Sequence, residues 1–321
     1  SVDGVTQAAS SAPSPPGADR SLAEASKLAE ASKLAEAKTL ADSLPGLLVE
    51  ARRIATTVLA GWHGRRRAGP GETFWQFRPF PAGEAPGRID WRRSARDDHL
   101  YVREREWEAA HTIWLAADLS RSMEFRSRLA SASKRDRAVV LLLAIAELLA
   151  GAGERIGLIG LSDPVLARNA AERLAETLLH RGQDSTGLPD TRRLTRFADL
   201  VMIGDLLDPL AEIDATLADC ARAGATVHLI EIRDPVEETF PYAGRAEFRD
   251  PESGVIYVAG RAEQIAEDYR RHLAARREHL AATCRRLGWS YLVHRTDRPA
   301  TEPLLALHAR LSDRSLAGGA V

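Results

Sequence analysis

The sequence predicts an α/β domain: a doubly wound, mostly parallel sheet with N-terminal helices and a small β extension. Three observations carry this. Short apolar runs recur at 112–117, 156–161, 200–204, 226–232 and 290–294. Helical stretches separate them, at 134–150, 167–180, 209–223 and 262–287. The runs are short and apolar enough to be buried on both faces, the pattern of parallel strands wrapped by helices. The chain of 321 residues, 45% hydrophobic and 28% charged, is also long and balanced enough to bury a sizeable core.

Taken in order, residues 1–20 are rich in Ser, Ala, Pro and Gly and read as a disordered tail. Residues 21–61 read as N-terminal helices. The repeat Ser26-Lys27-Leu28-Ala29-Glu30-Ala31 returns as Ser32-Lys33-Leu34-Ala35-Glu36-Ala37, a composition that favours helix. Leu22, Leu28, Leu34 and Leu40 recur every six residues, a spacing that drifts around a helix, so the expectation is a loosely attached helix instead of a zipper. A second helix is expected over 47–59, stopped by Gly61.

Residues 62–110 form a distinct β segment. Five of the six tryptophans (Trp62, Trp75, Trp91, Trp107 and Trp114) lie in or beside it. Alternation over 73–78 and 100–107 predicts strands with one wet face. The main domain then spans 111–313, with 314–321 as a closing tail. A hairpin insertion over 234–258 has arms at 246–249 and 255–258 around Asp250-Pro251-Glu252-Ser253-Gly254. It falls between a strand and the following helix, so it projects from the carboxyl end of the sheet. The N-terminal segment is expected to pack on the domain through this hairpin.

Composition excludes several functions. The formal charge of −1, from 44 cations and 45 anions, argues against a nucleic-acid coat. Arg outnumbers Asp and Glu by only ten to seven between 65 and 106, so Arg65–Arg67 and Arg92–Arg96 make a weak nucleic-acid surface. The run 138–150 is broken by Glu147 and falls short of the ~20 residues of a membrane span. Cys220 and Cys284 are isolated, which argues against a disulfide framework or zinc site. No signal peptide is read in the opening residues, so a cytoplasmic setting is expected. No GxSxG, P-loop or HExxH is present, and the chain is expected not to be an enzyme.

The first core strand runs into Asp118-Leu119-Ser120-Arg121-Ser122-Met123. Alternate residues of an extended segment point the same way, so Asp118, Ser120 and Ser122 can present three oxygens to one point. One carboxylate and two hydroxyls are hard ligands that suit Mg²⁺ or Mn²⁺. Asp and Ser are also favoured at helix starts, so capping is the competing reading.

Asp118-Leu119-Ser120-Arg121-Ser122 resembles the metal-ion-dependent adhesion site of von Willebrand factor A domains. Upstream, 77–84 and 88–95 resemble the hallmark of the bacterial "domain of unknown function fifty-eight" family, in Arg78, Gly83, Glu84, Arg88, Asp90, Trp91 and Ser94. The family usually has Tyr and Gly-Asp where this chain has Phe80 and Gly83-Glu84. The resemblance covers about 44–311. It implies a von Willebrand A-like, Rossmann-like domain and two further ligands, a Thr from a second loop (here Thr186) and an Asp after a later strand (here Asp205). It also implies a MoxR-type AAA+ ATPase as partner and a bound Mg²⁺ or Mn²⁺ that takes an acidic residue from outside. The expected function is thus a non-enzymatic, metal-assisted protein-binding adaptor. A metal-independent scaffold with a degenerate site is the alternative, and a nucleic-acid module a more distant one.

Overall fold

Helix α1 (Ala18–His63) opens the described chain, followed by β1 (Trp75–Pro79) and β2 (Tyr101–Arg105), which pair antiparallel. The computed structural model describes residues 18–63, 75–79, 95, 100–105, 111–181, 187–251 and 253–318. Most of the tail expected over 1–20 lies outside them. So do the candidate residues Gly83, Glu84, Arg88, Asp90, Trp91, Ser94 and Thr186; Arg78 is described only as a backbone position of β1.

Beyond β2 the chain alternates. It forms β3 (Thr112–Ala117), α2 (Lys134–Ala152), β4 (Arg155–Leu158), α3 (Ala170–Arg181), β5 (Asp199–Gly204), α4 (Leu210–Ala223) and β6 (Thr226–Arg233). The short helix α5 (Pro235–Thr239) and the antiparallel pair β7 (Ala246–Arg249) and β8 (Ile256–Ala259) interrupt the pattern. Helix α6 (Ala262–Leu287), β9 (Ser290–Arg295) and α7 (Thr301–Gly318) complete it.

The central sheet has the order β4-β3-β5-β6-β9, and every neighbouring pair is parallel. The chain steps from β3 outward to β4, then crosses back to β5, so the order reverses between β3 and β5. Alternation along the strands fills both faces. Ile113, Leu115, Val201, Ile203, Ile230 and Ile232 pack under α1, α2, α3 and α7. Trp114, Leu200, Met202, Val227 and Leu229 pack under α4 and α6. At the amino ends of the strands, the buried His228 holds Ser290 Oγ 2.7 Å from its Nδ1 and Asp199 Oδ1 3.5 Å from its Nε2.

Helix α2 is buried without a break from Ala138 to Ala146. A helix apolar all round must be covered all round, and here the sheet lies on one side and α1 on the other. Ser133 caps it, accepting the Asp136 N–H at 3.0 Å, and Gly153 ends it at φ 83°, a left-handed conformation that suits glycine.

Three expectations change. The helices expected over 21–61 are one helix that runs through Pro45 and starts at Ala18, inside the expected tail. A proline costs a helix one hydrogen bond and a clash with the preceding turn. Here Leu40, Leu44, Ala51, Ile54, Ala55 and Val58 are buried on either side of it, and that packing holds both halves in line. From Leu40 onward the helix docks on α2, α3 and α7, not through the hairpin; the loose attachment expected of the repeat falls on side chains outside the described residues. Arg52 strengthens the contact by pairing with Glu147 of α2, at 2.8 Å, and with Glu172 of α3. Third, α7 continues to Gly318, beyond the expected boundary at 313; its buried Leu304 and Leu307 supply the helical spacing that the sequence reading passed over. Among the described residues, no helix is long and apolar enough to cross a membrane.

Candidate binding site at the switch point

In an open parallel sheet the crevice beyond the strand carboxyl ends, where strand order reverses, is the place for a ligand. Asp118 stands at the end of β3 and Asp205 at the end of β5, on the two sides of that crevice. The Asp118 N–H extends the ladder to the Ile203 carbonyl at 2.8 Å. Gly204 leaves room for the pair: a Cβ there would lie 2.9 Å from the Asp118 Cβ. Leu206, at φ 52°, turns the chain sharply, and the Leu207 N–H donates to Asp205 Oδ1 at 3.2 Å.

Asp118, Ser120 and Ser122 lie close together, but Ser122 is on a 3-10 turn and not on the extended segment the spacing predicts. Asp118 Oδ1 accepts the N–H of Ser120 at 2.9 Å and of Gly187 at 3.0 Å. Ser120 precedes a short 3-10 turn, Arg121–Glu124, but its hydroxyl does not cap it. That hydroxyl instead lies 3.1 Å from Ser122 Oγ. Simple capping therefore does not account for the two serines.

The electrostatics of the two carboxylates differ. Burial pushes Asp118 above the ordinary carboxylate range, and the neighbouring Asp205 charge adds to the push, against hydrogen bonds from Ser120 and Gly187. Among the described residues no basic side chain pairs with Asp118. Burial also disfavours the Asp205 charge, but Lys134, together with a hydrogen bond from Ser122 and the Arg233 charge, outweighs it and holds Asp205 below its ordinary value. Lys134 Nζ, buried, lies 2.9 Å from Asp205 Oδ2 and 2.7 Å from Glu237 Oε1.

Because the folded pKa of Asp118 is raised, its contribution to stability is full at acid pH and lost as pH rises through that value. Asp118→Asn keeps an oxygen for the two N–H donors without the charge. In EDTA at pH 7 the variant is expected to be more stable than the parent by about 1 kcal/mol. The gain should vanish at acid pH, where Asp118 is protonated; urea midpoints at both pH values check it.

The crevice opens into a cleft of about 750 Å³. Its far wall is an aromatic cluster: Phe240 lies 5.1 Å from Tyr242, 5.5 Å from Phe248 and 4.8 Å from Tyr269, ring centre to ring centre. Phe248 belongs to β7 and Tyr269 to α6, so the cluster fastens the hairpin to the body above the site. Phe125 and Leu207 line the cleft and are exposed.

The sequence reading did not single out Lys134, Glu237 or the aromatic cluster. A lone Lys at a helix start in an Arg-rich chain is the one signal that pointed to Lys134. Cys220 and Cys284 are buried in the core, where burial pushes the first thiol up to about 12 and the second to about 11. Neither belongs to the site.

The donor set fits a hard divalent cation in part. Asp118 is a buried carboxylate without a counter-charge among the described residues, and two hydroxyls stand beside it. Asp205, the fourth expected ligand, is already engaged by Lys134. Among the described residues there is no cluster of three or more His, Cys, Asp or Glu arranged for a metal, so such a site rests on one carboxylate and hydroxyls.

Fold and site together define a doubly wound α/β protein with a polar crevice at its topological switch point. The chain belongs to the family described as "Protein of unknown function DUF58", whose model matches residues 76–279. It is 30% identical over 277 residues to "Uncharacterized protein Rv1480" of Mycobacterium tuberculosis and to "Uncharacterized protein Mb1516" of Mycobacterium bovis, covering 81% of this chain and 86% of each relative. Two solved structures are weakly similar. One is an aerotolerance-related membrane protein from Bacteroides fragilis with multiple mutations to serines (TM-score 0.38, 15% identity, 64% of this chain and 100% of that one). The other is the conserved hypothetical protein BatB from Bacteroides thetaiotaomicron (TM-score 0.36, 12% identity, the same coverage). At these scores the likeness carries no argument about function.

Proposed function

We propose that this chain is a non-enzymatic adaptor that binds a protein partner at the crevice between β3 and β5, with a divalent cation held by Asp118, Ser120 and Ser122. The observation that carries the reading is Asp118: a buried carboxylate in a cleft wall, beside two hydroxyls, with no basic side chain among the described residues to neutralise it. A buried charge in that position is costly unless compensated, and a cation from solution compensates it. Bound there, Mg²⁺ or Mn²⁺ would supply an open coordination position for a partner's Asp or Glu. The chain's own residues do the rest. Ser120 and Gly187 N–H groups orient the Asp118 carboxylate, and the aromatic wall with Phe125 and Leu207 offers apolar surface to whatever flanks the incoming acid.

The partner we propose, from the family resemblance, is a MoxR-type AAA+ ATPase. Immobilised chain, challenged with such an ATPase in Mg²⁺ or in EDTA, tests this. Retention in Mg²⁺ that is lost in EDTA and in Asp118→Ala is the expected result. Retention unchanged by EDTA would support the second reading, a metal-independent scaffold, which the Lys134–Asp205 pair favours. No retention under any condition would remove this partner.

A further inference from the structure

Resting on the reading of Asp118, Ser120 and Ser122 as cation ligands, we propose that Lys134 is a built-in competitor for the cation, which sets the site's divalent affinity low by holding Asp205. Lys134 is the first residue of α2 and is 1% exposed. A cation at a helix start runs against the helix dipole, and a buried ammonium is unfavourable without partners. The contacts that hold it are Asp205 at 2.9 Å and Glu237 at 2.7 Å.

Both carboxylates are tied in turn to the site or to the structure around it. Asp205 is close enough to Asp118 to disfavour its charge, and Ser122 hydrogen-bonds to it. Glu237 uses its other oxygen to accept the Asp234 N–H at 3.0 Å, closing the capping box of α5. Asp234 Oδ2 accepts the Ser127 N–H at 2.8 Å from the loop that follows the two serines. Lys134 therefore stands in an unbroken chain of contacts from the serine loop through Asp205 to α5, the element that leads into the hairpin.

The consequence is competition for one carboxylate. With Lys134 in place, Asp205 is neutralised from within, and an incoming divalent ion meets a fixed positive charge in a poorly screened crevice. Without that charge, Asp205 is released to serve the ion. Weakening the other hold on Lys134 has the opposite sign: with Glu237 neutral, the ammonium rests on Asp205 alone.

The test is calorimetric titration of Mg²⁺ into the full chain and its variants, with urea midpoints measured in parallel. Lys134→Gln keeps donors for both carboxylates without the charge and is expected to bind Mg²⁺ at least about tenfold more tightly than the parent. Lys134→Arg keeps the charge and should stay within about threefold of the parent. Glu237→Gln should bind more weakly than the parent.

If Lys134→Gln binds no more tightly, while parental binding is abolished by Asp118→Ala, the competition is overturned and the cation site stands. If neither the parent nor Lys134→Gln binds Mg²⁺, the cation site itself is overturned, and this inference with it. If Lys134→Gln fails to fold, Glu237→Gln decides: weaker binding supports the competition, and unchanged binding contradicts it.

Discussion

Glu231→Gln is expected to lose about 3–5 kcal/mol of folding stability, the range seen when one partner of a buried ion pair is removed. Glu231 is 1% exposed in β6, and its Oε1 lies 2.6 Å from Arg233 Nε and 3.0 Å from Arg277 Nε. The Tyr291 hydroxyl donates to its other oxygen. Arg233 is as buried as Glu231, and its Nη2 already has no hydrogen-bond partner. The neutral amide leaves that guanidinium without a contacting carboxylate.

The same group sets a pH dependence. Burial disfavours the Glu231 charge, but Arg233, Tyr291 and Arg277 outweigh it and hold the folded pKa below its ordinary value. Its stabilisation is therefore full above the unfolded carboxylate's pKa and is lost as pH falls through the lower folded value. Urea midpoints at neutral and acid pH should show the gap between the parent and Glu231→Gln closing in acid. A gap independent of pH would contradict the electrostatic account.

The second large effect concerns α1. Ile54 is 4% exposed against α2, within a stripe that also buries Leu44 and Val58. Ile54→Ala is expected to lose about 2–5 kcal/mol, the usual range for an aliphatic core residue cut to alanine. Deleting residues 1–63 removes the whole stripe and bares a face of α2, whose stretch from Ala138 to Ala146 is apolar and buried throughout. On the order of 6 kcal/mol or more of burial is lost, and the truncated chain should be insoluble or unfolded. Circular dichroism and sedimentation of the truncated chain check this. A stable, monomeric product would show that α1 is an accessory and not part of the core.

The contrast between α1 and the sheet shows what local pattern reveals. β3 and β5 carry nearly unbroken apolar runs (113–117 and 200–203) because both of their faces are covered, and such runs read directly as parallel strands. In α1 the repeat and Pro45 dominate the local signal, while the stripe that fixes the helix depends on where α2 lies. Pattern alone therefore suggested two helices where there is one. The site divides in the same way. Asp118, Ser120 and Ser122 sit two residues apart across the strand end and the 3-10 turn that follows, so their convergence is a matter of local geometry. Lys134 reaches Asp205 from 71 residues before it, and Glu237 of α5 reaches Lys134, and only the folded sheet brings the three together. The aromatic wall is also assembled from the loop after α5, β7 and α6, with no periodic mark in the sequence.

The role proposed for Asp118 is to nucleate a divalent-cation site at the switch point. Calorimetric titration of Mg²⁺ and Mn²⁺ into the parent chain and Asp118→Ala tests it most directly. The account predicts saturable binding of one ion in the parent that is absent in Asp118→Ala. Equal heats in the two proteins, or neither heat nor a thermal shift in both the parent and Lys134→Gln, would contradict it.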